Sequence, residues 1–205
     1  MNGRKIEQLN EFMAEAVDFT EEFAIMQEIR IPMRVIEFNS ESKWLFEDAT
    51  EGVEHIDWTP LRVKQNCHTD TAQAINLARS IMYRKVLGER NFHPVVVLVS
   101  DGLSDNMRGT IEAIEDLKHS LNGKVARLSV CVEGAYEKEL VIFATKVSDH
   151  PLVIKAEEHE LFRRFLRSSI VHPRITAVWP EEYYSAITVT GGDEEADNWL
   201  EEADD

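Results

Sequence analysis

Two short stretches carry the side chains that could do chemistry. One is Val95–Asp105, VVVLVSDGLSD, and the other is His68-Thr69-Asp70-Thr71. The first begins with six apolar or small residues, too few for a membrane span and suited to a strand buried on both faces. It ends in Asp101-Gly102, so a carboxylate stands at the carboxyl edge of that strand, where open α/β sheets place their ligands. Gly102 lets the backbone turn sharply past it. In the second stretch Asp70 reads as a helix N-cap, with the Thr71 hydroxyl in the first turn beside exposed N–H groups. Each acid also has a plain structural use. An Asp-Gly pair after a strand is a common turn, and Asp105 is placed to cap the next helix.

The neighbourhood offers little else. His68 and His93 flank the two loops without a cysteine or second histidine at metal spacing, so zinc is not expected. Ser100 and Ser104 lack a G-x-S-x-G context, and no G-x-x-x-x-G-K-[ST] loop occurs. Nothing positive points to catalysis, and an enzyme is not the expectation.

The elements that would position these residues follow from periodicity. Ile6, Leu9, Phe12, Met13, Ala16, Val17, Phe19 and Phe23 recur at helical spacing, with Glu7, Glu11, Glu15 and Glu21 largely on the other side. Residues 33–46 read as a hairpin turning at Asn39–Ser42. Residues 47–70 are a polar connection. Asp70-Thr71 opens a helix predicted to run through Ile75, Ala78, Met82 and Val86 to Gly88. After the Val95 strand come a helix closed by Asn122-Gly123, a strand over Val125–Val132 and a helix within 136–147. A strand over Leu152–Ala156 and a helix opening at Glu157-Glu158 complete the run. This order predicts an α/β fold, a Rossmann-like doubly wound and mostly parallel sheet with flanking helices, the hairpin supplying an antiparallel edge. The expected division is one domain over 1–170, a β-prone extension over 171–190 and an acidic tail over 191–205, whose composition predicts disorder.

The 205 residues suffice for one such domain, and 43% hydrophobic residues allow a sizeable core. A net charge of −16 argues against nucleic acid and anionic membranes as partners. Cys67 and Cys131 lie in or beside apolar segments and read as reduced, buried thiols. With no leader-like segment and no bilayer-length apolar run, the expected location is cytoplasmic.

Taken together, several pieces resemble the von Willebrand factor A (VWA) domain, and in particular its TerY-like bacterial subfamily of tellurium-resistance-type gene clusters. Met1–Ile6 with Leu9-Asn10 resembles the segment after the family's first motif, and Val35–Asn39 resembles its second strand. His68–Thr71 stands where the family has two glycines and a threonine, and VVVLVSDG resembles its Asp-Gly strand. The resemblance implies a metal-ion-dependent adhesion site at the carboxyl edge. There a divalent cation, usually Mg2+, is held by a D-x-S-x-S loop, a threonine and an aspartate, and a partner's carboxylate takes an open position. Thr71 and Asp101 match the threonine and the aspartate, with Asp70 and Asp105 placed to support or substitute for a ligand. Thr69, Asp70, Thr71, Gly102 and Ser104 would then face the partner.

One departure is large. The D-x-S-x-S loop and its strand are absent, and that strand is central in the family, between the Phe38 strand and the Asp101 strand. Three expectations follow from this. The sequence starts beyond the strand, another chain donates it in a strand-sharing assembly, or Ile175–Trp179 or Ala186–Thr190 folds back into the gap. The expected function is a protein-interaction module with an incomplete Mg2+ site. The rivals are a metal-assisted hydrolase or phosphoryl-transfer component, and a metal-free structural subunit. Trp199-Leu200, with its flanking acids, is a candidate docking peptide.

Overall fold

The computed structural model describes residues 3–46, 52–53, 56–62, 68–82, 94–147 and 149–171, with side chains as far as Arg167. The first element is helix α1 (Arg4–Met26), whose stripe of Leu9, Phe12, Ala16, Phe19 and Phe23 is buried as its spacing predicts. Strands β1 (Val35–Phe38) and β2 (Ser42–Phe46) form the antiparallel hairpin, pairing Ile36 with Trp44 and Phe38 with Ser42. Helix α2 (Thr71–Arg79) starts at its Asp70 cap.

The parallel sheet follows. Strand β3 (Val95–Ser100) pairs along its whole length with β4 (Ala126–Cys131), from Val95–Ala126 to Ser100–Cys131. Beyond β4 lies β7 (Val153–Lys155), also parallel, giving the order β3-β4-β7. Helix α3 (Met107–His119) joins β3 to β4 and ends in a 3₁₀ turn, where Leu121 and Asn122 take left-handed φ values of 50° and 58° before Gly123. Helix α4 (Glu137–Phe143) and a small hairpin, β5 (Lys146–Val147) with β6 (His150–Pro151), join β4 to β7. Helix α5 (His159–Val171) closes the described chain. Helices α2, α3 and α4 pack on one another in turn, whereas α5 packs on α1. The described residues are thus mixed α/β, compatible with a Rossmann-like arrangement around a three-stranded parallel sheet.

Strand β4 is buried at every position, including Arg127 and Ser129. Both polar groups are satisfied. The Arg127 guanidinium donates to the Phe143 carbonyl at 3.0 Å and the Val125 carbonyl at 3.1 Å, and the Ser129 hydroxyl donates to the Leu140 carbonyl at 2.6 Å. Burial also draws the Arg127 pKa below its usual value.

Several sequence expectations are corrected. Helix α2 ends at Arg79, not Gly88, because Ser80 closes it with a side-chain bond to the Leu77 carbonyl; Val86 and Gly88 lie outside the described residues. Val147 belongs to β5 rather than to a helix, since Ala144 turns extended after Phe143. Among the described residues the β1–β2 hairpin, expected as an antiparallel edge, is a two-stranded sheet of its own. Among the described residues no strand lies between β1 and β3, so no ladder joins them. Instead a cleft of about 880 Å³ separates them, lined by both strands and by α1, α2 and α5. The predicted extension and acidic tail, Cys67 and His93 lie outside the described residues, Val171 excepted. No described helix is long and apolar enough to cross a membrane.

Candidate functional site

The carboxyl ends of β3 and β4 gather four pieces of chain. The first is the turn at Asp101-Gly102. Gly102 has φ +71°, and a Cβ there would lie 2.0 Å from the Tyr136 carbonyl oxygen, so only glycine fits. The turn is held on both sides: the Gly102 N–H donates to Ser100 Oγ at 3.1 Å, and the Tyr136 N–H donates to the Asp101 carbonyl at 2.7 Å. The Asp101 side chain is only 8% exposed as a residue, and its Oδ2 lies 3.2 Å from Lys5 Nζ.

That contact brings in the second piece, the first turn of α1. Arg4 pairs with Glu133 just past β4 at 2.9 Å, and Gln8 accepts from the Glu133 N–H at 2.7 Å. Helix α1 therefore starts at the carboxyl edge and runs toward the amino edge.

The third piece is the loop before α2. The Asp70 carboxylate accepts from the Gln73 N–H at 3.0 Å, as an N-cap should, and its own N–H donates to the Asn39 carbonyl at 2.8 Å. Thr71, the first residue of α2, is 3% exposed. Ser40 receives the His68 N–H at 2.8 Å, so the β1–β2 turn belongs to the same edge.

The fourth piece is the Leu103–Asn106 loop, which ties the first and third together. The Asp105 N–H donates to the Thr69 carbonyl at 3.0 Å, while the Asp105 carboxylate accepts the Thr69 N–H. His68 Nδ1 lies 3.4 Å from the same carboxylate. Asp105 is thus not the cap of α3. Asn106 is, accepting the Gly109 N–H at 3.0 Å. Ser104 is turned inward: its hydroxyl pairs with Thr110 at 2.9 Å, and its N–H reaches both Glu139 oxygens at 3.1 and 3.0 Å. Burial raises the Glu139 pKa above its usual value, and the nearby Asp101 and Asp105 charges add to the rise, against the Ser104 N–H bond.

The structure therefore brings Thr69, Asp70, Thr71, Asp101, Gly102, Ser104 and Asp105 to one edge. Four further residues stand there that the sequence does not bring out by pattern. Lys5 and Glu139 had no signal beyond their type. Leu103 and Tyr136 are exposed apolar side chains, 55% and 44% accessible, and a leucine between glycine and serine in a turn was a readable sign.

Mg2+ seeks about six oxygens in an octahedron. Among the described residues no group of three or more His, Cys, Asp or Glu side chains could hold a metal. Thr71 and Asp101 offer two side-chain oxygen groups, and the Asp101 carboxylate already carries the Lys5 ammonium. This donor set does not by itself fit Mg2+. Nor does it build a nucleophile, since the Ser104 hydroxyl is engaged by Thr110 rather than by a base. Cys131 is buried, and that burial, with the Glu137 and Glu158 charges, pushes its thiol up to about 12, far from a reactive thiolate.

No protein-family model matches the chain, and no curated protein matches its sequence.

Proposed function

We propose that this chain is a protein-interaction module of VWA type, whose partner surface is the carboxyl edge of the parallel sheet. The observation that carries the reading is the reciprocal bonding of Thr69 and Asp105, which holds the loop bearing Thr71 beside the loop bearing Asp101. Leu103 and Tyr136 add apolar area beside the buried acid, the mixture that protein interfaces favour at their centres. The partner is a protein presenting a small apolar patch, with a carboxylate able to meet Lys5. Mg2+ enters only if further oxygens are brought to Thr71 and Asp101 and Lys5 withdraws. A place in a tellurium-resistance or stress system rests on the resemblance alone, and a cytoplasmic setting on Cys67 and Cys131 read as reduced thiols. The Lys5–Asp101 pair favours a metal-free module over a metal-assisted hydrolase.

The test uses the full chain as bait against proteins of its own source, followed by titration of each captured partner. Leu103→Ser with Tyr136→Ser should weaken true partners at least tenfold, about 1.4 kcal/mol. Lys118→Ala, in the last turn of α3, should leave them unchanged. Equal retention by both variants overturns the assignment. Calorimetric titration of Mg2+ alone should show no binding at micromolar concentrations; tight binding abolished by Asp101→Ala would restore the metal site.

A further inference from the structure

Strand β3 is the most apolar strand of the sheet, yet among the described residues it is bonded on one side only, to β4. Its other edge, and the edge of β1 that carries no ladder among the described residues, line the same cleft. The helices contribute an apolar part of the wall, Leu9 and Phe12 of α1, Phe162 and Leu166 of α5, Ile75 of α2 and the following Met82, while Arg30, Arg34 and Arg62 also line the cleft. Edges of this kind, enclosed by helices, hold backbone donors and acceptors that water satisfies poorly, and their natural occupant is another strand.

The direction of such a strand can be derived. Lys5 meets Asp101 at the carboxyl end of β3, so α1 descends toward the amino edge. Helix α5 runs alongside it in the same sense: His159 pairs with Glu15 at 3.0 Å, Phe162 meets Phe12 at 5.1 Å, and Arg163 and Arg167 lie over Phe19 at 5.2 and 5.4 Å. Helix α5 therefore ends at the amino edge, where a strand parallel to β3 would begin.

The handedness agrees. The steps from β3 to β4 and from β4 to β7 move one way across the sheet, through α3 and α4. A return from β7 to the cleft moves the other way, and a right-handed crossover then needs its helix on the opposite face. Helix α5 packs with α1, apart from the mutually packed α2, α3 and α4.

The sequence after α5 supplies a match. Three residues, His172-Pro173-Arg174, follow Val171 and span up to about 10 Å. Then comes Ile175-Thr176-Ala177-Val178-Trp179, closed by Pro180. A strand walled on both faces needs apolar side chains in both directions, and this piece has one polar residue in five. Ala186–Thr190 alternates Ile187 and Val189 with Thr188 and Thr190, which suits a strand with one wet face. At about 17 Å, five extended residues nearly match six-residue β3.

We propose that Ile175–Trp179 of the same chain docks in the cleft as a strand parallel to β3, joining the β1–β2 hairpin to the main sheet. The inference stands apart from the interaction surface proposed above, because it concerns the middle of the sheet rather than its rim.

Hydrogen exchange and cross-linking on the full chain test it. Amides of β3 should be protected comparably to those of β4, which is bonded on both sides. Val178→Asp should speed β3 exchange about tenfold or more and leave β4 nearly unchanged. Val189→Asp, in the other β-prone piece, should change neither. Ala177→Cys combined in turn with Val96→Cys, Val97→Cys or Val99→Cys should give an intramolecular disulfide, located by peptide mapping. This readout holds even if Val178→Asp fails to fold. Disulfide-linked dimers would assign the strand to a second copy and overturn docking within one chain. Protection of β3 without any cross-link would assign the role to another polypeptide segment and overturn the proposal equally. Fast β3 exchange in the unmodified chain would show an open cleft and end the proposal, as would opening of β3 by Val189→Asp.

Discussion

Strands β3 and β4 are neighbours of equal length with opposite relations between sequence and burial. VVVLVS is apolar almost throughout, yet only Leu98 and Ser100 are buried. ARLSVC contains an arginine and a serine, yet every residue is buried. The difference lies in the neighbours. Strand β4 has a ladder on each side and α4 across it, and its two polar groups find carbonyls. Among the described residues strand β3 has one ladder and a cleft. Burial is thus set by position in the sheet. The excess of apolar residues in β3 marks a strand whose sequence suits more enclosure than the described residues give it.

Three substitutions press on that comparison. The strands are fused at their carboxyl ends through Asp101 and Tyr136, so Gly102→Ala should have the largest effect. It forces a Cβ into the Tyr136 carbonyl at positive φ, and should cost about 3–4 kcal/mol in urea denaturation. Next comes a matched pair. Val130→Ala in β4, at a position 0% exposed, should cost about 2–3 kcal/mol. Val97→Ala in β3 makes the same change and should cost about 1 kcal/mol if the cleft stays open. Equal losses would show β3 to be as enclosed as β4, as the docked strand requires.

The smallest effect concerns Glu139, whose pKa lies above its usual 4.5 because of burial. The folded chain holds that proton more tightly than the unfolded chain. Its contribution to stability is therefore greatest below pH 4.5 and declines as pH rises toward the folded value. Glu139→Gln should remove this decline, giving a flatter dependence of Tm on pH above 4.5, read by thermal melts in buffers of equal ionic strength.

Much of this was legible in the chain. The stripe of α1, the hairpin, the Asp70 cap, the Val95 strand and the Asn122-Gly123 stop all carry local signals, periodicity or turn chemistry, and the structure has them. Boundaries set by tertiary contacts were not. Val147 has the same apolar character in a helix as in β5, and only the turn at Ala144 decides. Asp105 and Asn106 are equally good caps on paper; the Thr69 backbone claims the first and leaves the second for α3. At the candidate site, the sequence brought out the loops but not Lys5, because its partner lies 96 positions away.

The Lys5–Asp101 contact has a mechanical side. A helix start is the positive end of its dipole, an unfavourable place for an ammonium, and Asp101 offsets that cost. At the proposed rim surface, any cation or basic side chain that claimed Asp101 would leave Lys5 facing like charge and would work against the seating of the helix's first turn. Binding at this rim would be felt along α1, and through Phe12 and Phe19 by the helix beside it.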